Sequence, residues 1–269
     1  MEPAAGISER LVERLSRARS MTVLTGAGVS HESGVPTFRG EDGLWGKYTA
    51  EELATWQAFE ANPELVWRWY DYRRQVIADV EPNPAHHAVA RLEPAYDNFV
   101  LVTQNVDGLH SRAGSTSPVE LHGNIWRARC TRERTTMDLP ENPLREVPPR
   151  CPRCNSLLRP DVVWFGEPLP SEAYERADGA ACSCEAMLVV GTSAMVRPAA
   201  SLPLVAKHNG ALVVEVNVGL TPISALIDAT LFGKAGEVLP ELVDRVLERK
   251  ASQGSPSMPS SEKAETASR

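Results

Sequence analysis

Thr25-Gly-Ala-Gly-Val-Ser-His-Glu-Ser-Gly-Val-Pro-Thr-Phe-Arg-Gly40 follows directly on the apolar run Met21–Leu24. A strand that runs into a Gly-x-Gly turn lets backbone N–H groups approach a pyrophosphate with no Cβ in the way. The spacing is not the dinucleotide fingerprint, because after Gly26 and Gly28 the next glycine is Gly34. The loop also holds Ser30, Ser33, Phe38 and Arg39, and it is too long for a simple crossover turn. An aromatic ring and a guanidinium at the end of a glycine loop suit a ligand that carries both rings and phosphates.

The totals narrow the class. A chain of 269 residues holds one large domain, or a large domain with a smaller insert. A formal net charge of −7 argues against nucleic-acid binding, which favours a net basic face. No apolar run reaches the length of a membrane span. Residues 1–20 are dotted with Glu and Arg and lack the apolar core of a secretory signal. Five cysteines in such a chain read as thiols or metal ligands, and the expected location is cytoplasmic.

Along the chain, Ile7, Leu11, Leu15 and Ala18 recur at helical spacing and predict a helix over 7–19. Residues 49–80 are helical in pattern, with Pro63 opening a new helix that carries Trp67, Trp69, Tyr70, Arg73 and Arg74. A helix over 86–92 leads to a strand over 98–102. The segment 125–159 is rich in Pro, Arg and Cys without sustained periodicity, so we expect an insert held by something other than an apolar core. Met187–Val190 and Leu212–Val216 are Val-rich runs of the kind covered on both faces. Helical stretches surround them at 171–181, 198–208 and 238–249, and 251–269 reads as a disordered tail.

Four apolar strands end in small or polar residues: Thr25-Gly26-Ala27-Gly28, Thr103-Gln104-Asn105, Gly191-Thr192-Ser193 and Glu215-Val216-Asn217. Ligands bind at the carboxyl ends of strands in open parallel sheets. The pattern predicts an α/β fold, a doubly wound parallel sheet that binds a dinucleotide.

With these residues in hand the chain resembles the sirtuins, NAD-dependent protein-lysine deacylases. The resemblance runs from Gly26 to about Pro240 and rests on several motifs in order. They are the glycine loop through Phe38-Arg39-Gly40, Thr103-Gln104-Asn105-Val106-Asp107-Gly108-Leu109-His110, Leu121-His122-Gly123, Trp164-Phe165-Gly166-Glu167, Gly191-Thr192-Ser193 and Gly233-Lys234-Ala235. It implies a Rossmann-like sheet with a helical insert and a smaller, partly degenerate module of zinc-binding type. NAD is consumed as co-substrate. Gly26, Ala27, Gly28 and Ser30 would lie on its pyrophosphate, with Gln104, Asn105 and Asp107 around the nicotinamide and its ribose. Phe38, Arg39, Gly191, Thr192, Ser193, Asn217 and Ala235 complete the implied cofactor site. The acyl oxygen of a modified lysine attacks the ribose carbon as nicotinamide leaves, and His122 then acts as general base on a ribose hydroxyl. The products are free lysine, nicotinamide and O-acyl-ADP-ribose.

Taken alone, a lone histidine is a packed or surface residue; the surrounding motif makes His122 the catalytic candidate. His110 matches a structural position, and His86, His87 and His208 read as helix-surface residues. His31 stands where the family usually has a small residue, and either touches the ligand or faces solvent.

Tyr70 and Arg73, at i and i+3, share one helix face. Read blandly, they belong to an amphipathic surface. Sirtuins active on succinyl- and malonyl-lysine carry this Tyr-x-x-Arg pair just after an Asn-Pro, as at Asn62-Pro63, and Ala54 matches their small pocket residue. A guanidinium beside a phenol suits a bidentate hold on a distal carboxylate. Val163, Phe165, Gly166 and Glu167 match the segment that takes the substrate peptide by strand addition, with 194–197 opposite. The implied partners are acylated-lysine proteins or peptides.

The family's zinc module uses two Cys-x-x-Cys pairs. Here Cys151 and Cys154 form the second, but the first reads Cys130-Thr-Arg-Glu133. Three thiolates with Glu133, three with a water, and a metal-free module are the alternatives. The implied organisation is 1–40, 96–124 and 168–250 as the NAD-binding domain, 41–95 as a helical insert and 125–167 as the small module. Two rival functions stand beside deacylation: an NAD-dependent mono-ADP-ribosyltransferase, and a non-catalytic NAD or ADP-ribose sensor.

Overall fold

The computed structural model describes residues 6–36 and 50–254. Phe38 and Arg39 fall outside these residues, as does the tail beyond 254.

Strand β1 (Ser20–Thr25) lies inside a six-stranded parallel sheet because its side chains are buried on both faces. The sheet runs β3 (Val119–Glu120), β2 (Asn98–Thr103), β1, β7 (Ala186–Val190), β8 (Leu212–Asn217), β9 (Ala229–Phe232). Every pair in it is parallel. The chain leaves β1 towards β2 on one side and later returns to β7 on the other. That reversal places the ligand crevice at the carboxyl ends of β1 and its neighbours.

Alternation along the strands feeds two cores. Met21, Val23, Leu188, Val214 and Val216 face helices α1 (Glu9–Arg17), α6 (Pro84–Leu92) and α10 (Ala235–Gly254). Leu24, Met187, Val189 and Val213 face α8 (Ser171–Ser183) and α9 (Leu202–His208). α10 continues to Gly254, so the first residues expected to be disordered tail are helical.

Segment 125–159 departs from its expected build. A three-stranded antiparallel sheet, β5 (Thr136–Asp138), β4 (Gly123–Cys130), β6 (Leu158–Val162), forms there and does have an apolar core. Ile125, Ala128, Leu158 and Val162 pack against Phe59 of α4 (Trp56–Ala61) and Val66, Trp67 and Trp69 of α5 (Pro63–Ala78). The segment is aperiodic because its apolar partners lie on helices much earlier in the chain. Trp67 Nε1 donates to Leu158 O at 2.7 Å and ties the two together. The short α2 (Ala27–His31), α3 (Ala50–Leu53) and α7 (Leu109–Arg112) complete the α-helices among the described residues.

Candidate active site

The glycine loop and the end of β7 are pressed together. Gly26 N donates to Val190 O at 3.0 Å and Gly28 N to Gly191 O at 2.8 Å. A Cβ on Gly26 would sit 2.7 Å from Thr192 Cβ, and one on Gly28 2.7 Å from Gly191 O. These glycines therefore serve a backbone-to-backbone approach of two strand ends before any ligand arrives. From this junction the chain turns into α2 with Ala27 first and Ser30 buried within it.

Polar side chains from the other strand ends knit onto the same junction. Gln104 Nε2 donates to Thr192 Oγ1 at 3.0 Å, and Asn217 Nδ2 donates to Thr192 O at 2.8 Å. Asn105 Nδ2 donates to Gly26 O at 3.0 Å and Ser30 Oγ at 2.9 Å. Asp107 Oδ1 accepts from Leu109 N at 2.8 Å. Burial pushes the Asp107 carboxyl up, against the pull of bonds from Leu109 and Ser30 and the charge of Arg73. Ser193 is exposed beside this network. Ala235 N, at the start of α10, donates to Glu32 Oε1 at 2.6 Å, and Gly236 N donates to Glu32 Oε2 at 2.9 Å. Glu32 escaped sequence reasoning; a carboxylate inside a glycine loop is the signal that was there to read.

His122 stands where the two sheets meet. Its Nδ1 lies 2.9 Å from Gln104 O, and its own carbonyl accepts from Val163 N at 2.9 Å. A carbonyl only accepts, so Nδ1 carries the proton and Nε2 is left as the bare, basic nitrogen. Burial lowers the His122 pKa below the ordinary 6.5, opposed by the bond to Gln104. The imidazole is neutral at neutral pH, as a general base must be.

The other histidines sort differently. His110 is buried, with Nε2 2.9 Å from Thr25 Oγ1, and burial lowers its pKa to about 4. His86 is not the surface residue expected: it has no exposure and its ring centroid lies 4.8 Å from that of His110. His86 Nδ1 accepts from Asn83 N at 3.2 Å in a capping box, and desolvation, then the charges of His110 and His87, lower its pKa to about 3. It sits one helical step from buried Val89, so its place on the apolar face of α6 was legible. His31, His87 and His208 are exposed.

The acyl-pocket residues of the sequence reading come together around α5. Tyr70 is 1% exposed and its Oη accepts from Trp164 Nε1 at 3.0 Å. Desolvation pushes the phenol up to about 12, so it is neutral and keeps its proton. Arg73 is half-buried; its guanidinium lies 5.2 Å from the Trp69 ring centroid. It lines a small cavity of about 20 Å³ with Ala27, Ser30, Asn105 and Asp107, room for one water. Ala54 is buried, and its carbonyl accepts from Phe165 N at 2.9 Å. Glu167 is held by Arg159, whose Nη2 donates at 2.9 Å, and burial is outweighed there by that bond, so its carboxyl lies below its usual range. Phe165, Met195 and Val196 are exposed, and Gly166 follows at φ +85°.

The neighbouring face of α5, about 100° round the helix, grips the small module. Asp71 Oδ1 accepts from Leu144 N at 3.0 Å, and fully buried Arg74 donates from Nη2 to Glu141 O at 2.6 Å.

In that module Cys130, Glu133, Cys151 and Cys154 bring their ligand atoms within 4.8 Å of one another. Cys130 Sγ and Cys154 Sγ lie 3.5 Å apart, and all five cysteines are free. Tetrahedral zinc with bonds of about 2.3 Å to sulfur sets neighbouring sulfurs about 3.8 Å apart. The donor set fits zinc. Cys182 is exposed and Cys184 buried in the core beneath α8, and neither belongs to this cluster.

A parallel sheet with a reversal at β1, four polar strand ends converging on it and a cysteine-rich module beside it define an NAD-binding α/β enzyme class. The Sir2 family model matches residues 26–198, and the chain belongs to the Sir2 family. An NAD-dependent protein deacylase 2 of Pyrobaculum aerophilum is 53% identical over 239 residues, 89% of this chain and 96% of that protein. The crystal structure of a Sir2 homolog–NAD complex superposes with a TM-score of 0.88 at 45% identity, covering 93% of this chain and 98% of that one. A Sir2 protein bound to acetylated peptide superposes at 0.78 with 32% identity, covering 90% and 98%. No helix among the described residues is long and apolar enough to cross a membrane.

Proposed function

We propose that the chain is an NAD-dependent protein-lysine deacylase that favours acyl groups ending in a carboxylate, succinyl and malonyl, while also removing acetyl. The observation that carries the preference is the pairing of two donors on α5. Trp164 Nε1 fills an acceptor position of Tyr70 Oη, so the phenol's own proton is directed elsewhere. One turn on, Arg73 brings a guanidinium to the cavity wall beside Asn105 and Asp107. A phenol O–H and a guanidinium together match the lone pairs of a carboxylate.

In this reading the large sheet holds NAD and α5 with the small module shapes the acyl-lysine channel. The exposed segments at Phe165 and at Met195-Val196 bind the peptide through its main chain. His122 Nε2 takes the proton from a ribose hydroxyl once nicotinamide has left, and Gln104 O holds the opposite ring nitrogen. A cluster of free thiols suits a reducing compartment and a cytoplasmic enzyme.

The test is nicotinamide release with succinyl-, malonyl- and acetyl-lysine forms of one peptide, for the parent and Arg73→Met. Loss of a charge-assisted hydrogen bond of about 1.5–3 kcal/mol lowers kcat/KM on the acidic acyl groups about 10- to 150-fold, with acetyl turnover little changed. Equal effects on all three peptides, or a parent that prefers acetyl, sink the preference. Label appearing on protein from NAD labelled in its ADP-ribose marks an ADP-ribosyltransferase instead.

A further inference from the structure

The metal module contains the same turn twice. In the first, Cys130 N donates to Thr135 O at 2.9 Å and Arg134 N returns to Cys130 O at 2.9 Å. In the second, Cys151 N donates to Ser156 O at 2.8 Å and Asn155 N returns to Cys151 O at 2.9 Å. The residue closing each turn is left-handed, Arg134 at φ +59° and Asn155 at φ +57°. That conformation penalises any residue with a Cβ, asparagine least, yet Arg134 adopts it at the same place in the first turn as Asn155 in the second. The turns superpose residue for residue in their bonding: Cys130 on Cys151, Glu133 on Cys154. Glu133 N also donates to Cys130 Sγ at 3.3 Å, the direction of an amide supporting a thiolate.

From this repetition we propose that Glu133 is the fourth ligand of a three-thiolate, one-carboxylate zinc site, and that its corner is where the metal exchanges. A carboxylate carries the same charge as the thiolate it stands in for, so the electrostatics of a four-thiolate site are kept, which a neutral water would not do. Zinc accepts oxygen at about 2.0–2.2 Å, within reach of the cluster as folded. Cys130 and Cys151 are 1% and 2% exposed, whereas Glu133 is open to solvent. Water, or a chelator's oxygen, therefore reaches the ion at Glu133 first. Two of the softer corners, Cys130 and Cys151, are shielded, Cys154 is half-buried, and the hard, exposed corner is the door.

The experiment uses the full chain loaded with zinc and, separately, with cobalt(II) as a spectroscopic stand-in. Zinc transfer to a chromophoric chelator is timed for the parent, Glu133→Cys and Glu133→Ala. Outer contacts to a metal are themselves worth about 10- to 100-fold in affinity, so the ligand change is expected to move release at least about tenfold. Glu133→Cys slows it and Glu133→Ala speeds it. The cobalt d–d bands shift in both variants, because the donor set changes in both. Identical spectra and release for the parent and Glu133→Ala overturn the assignment, since a water would then already be the fourth ligand. A parent that takes up no stoichiometric zinc or cobalt overturns it as well. Glu133→Cys restores a four-thiolate site, so the result stands even where Glu133→Ala unfolds the module. None of these readouts depends on which acyl group the enzyme removes.

Discussion

Gly123→Ala tests the seam on which His122 rests. Gly123 opens β4 at φ +79°, in the region that penalises every residue with a Cβ. A Cβ there would overlap the Asp161 carbonyl oxygen on β6 and lie 3.0 Å from its carbon and 3.2 Å from Val162 Cα. These neighbours are backbone in a paired strand, so relief requires the two strands to part. The left-handed conformation costs about 1–2 kcal/mol and overpacking about 1–3, giving about 2–5 in all. At about 2–4 °C per kcal/mol for a domain of this size, the melting temperature drops about 4–20 °C. The effect does not stop at stability. The bond from Val163 N to His122 O crosses the same seam, so separating β4 from β6 also turns the imidazole away from its position on Gln104 O. Differential scanning fluorimetry reads the first effect. Single-turnover nicotinamide release at a temperature where both proteins are folded reads the second. A variant melting within about 2 °C of the parent with unchanged turnover would refute the reasoning, because the seam would then be soft enough to absorb a methyl group.

Further outcomes follow from the same geometry. Because burial lowers the His122 pKa, the proposed base is competent to lower pH than a free imidazole. Activity is retained above that pKa and lost as pH falls through it, so the acid limb of kcat/KM has its midpoint below 6.5. A midpoint above 6.5 contradicts the assigned environment. Trp164→Phe removes the donor to Tyr70 Oη while keeping an aromatic ring. Succinyl turnover falls by about 0.5–1.5 kcal/mol in kcat/KM, about two- to thirteenfold, and acetyl turnover falls less; equal losses point to packing alone. Glu215 is fully buried in β8, where Thr221 and Ser224 hydroxyls donate to it, pinning the loop after Asn217. Glu215→Gln leaves buried hydroxyls facing an amide donor and costs about 1–3 kcal/mol, read by urea unfolding; an unchanged midpoint shows the loop anchors elsewhere.

The sheet was legible because its strands are buried on both faces, which writes an uninterrupted apolar run into the sequence and leaves the polar strand ends conspicuous. β3 and β9 were not, since two and four residues carry too little pattern to rise above their surroundings. The small module misled for a different reason: part of its core is supplied by Phe59, Val66 and Trp67, so no local window contains both sides of a contact. Among site residues, Gln104, Asn105 and Asp107 converge with the glycine loop as their place at strand ends implies. Glu32 was overlooked and His86 was placed on the surface because a carboxylate among serines and a histidine on a short helix look like solvent-facing polarity. What each touches lies more than fifty residues away, Ala235 for Glu32 and Ser30 for His86.

Helix α5 is owned by two masters. Tyr70 and Arg73 carry the proposed acyl-carboxylate clamp, while Asp71 and Arg74, interleaved with them, are fastened to the segment carrying Glu141 and Leu144. A designer who wishes to change which acyl group enters by replacing this helix must transplant its anchorage as well, or the graft arrives with that buried face unmoored. The same bonds couple the two mechanically. A substitution that shifts Asp71 or Arg74 loosens the turn at 141–144 with it, and a change in that turn is felt on the helix.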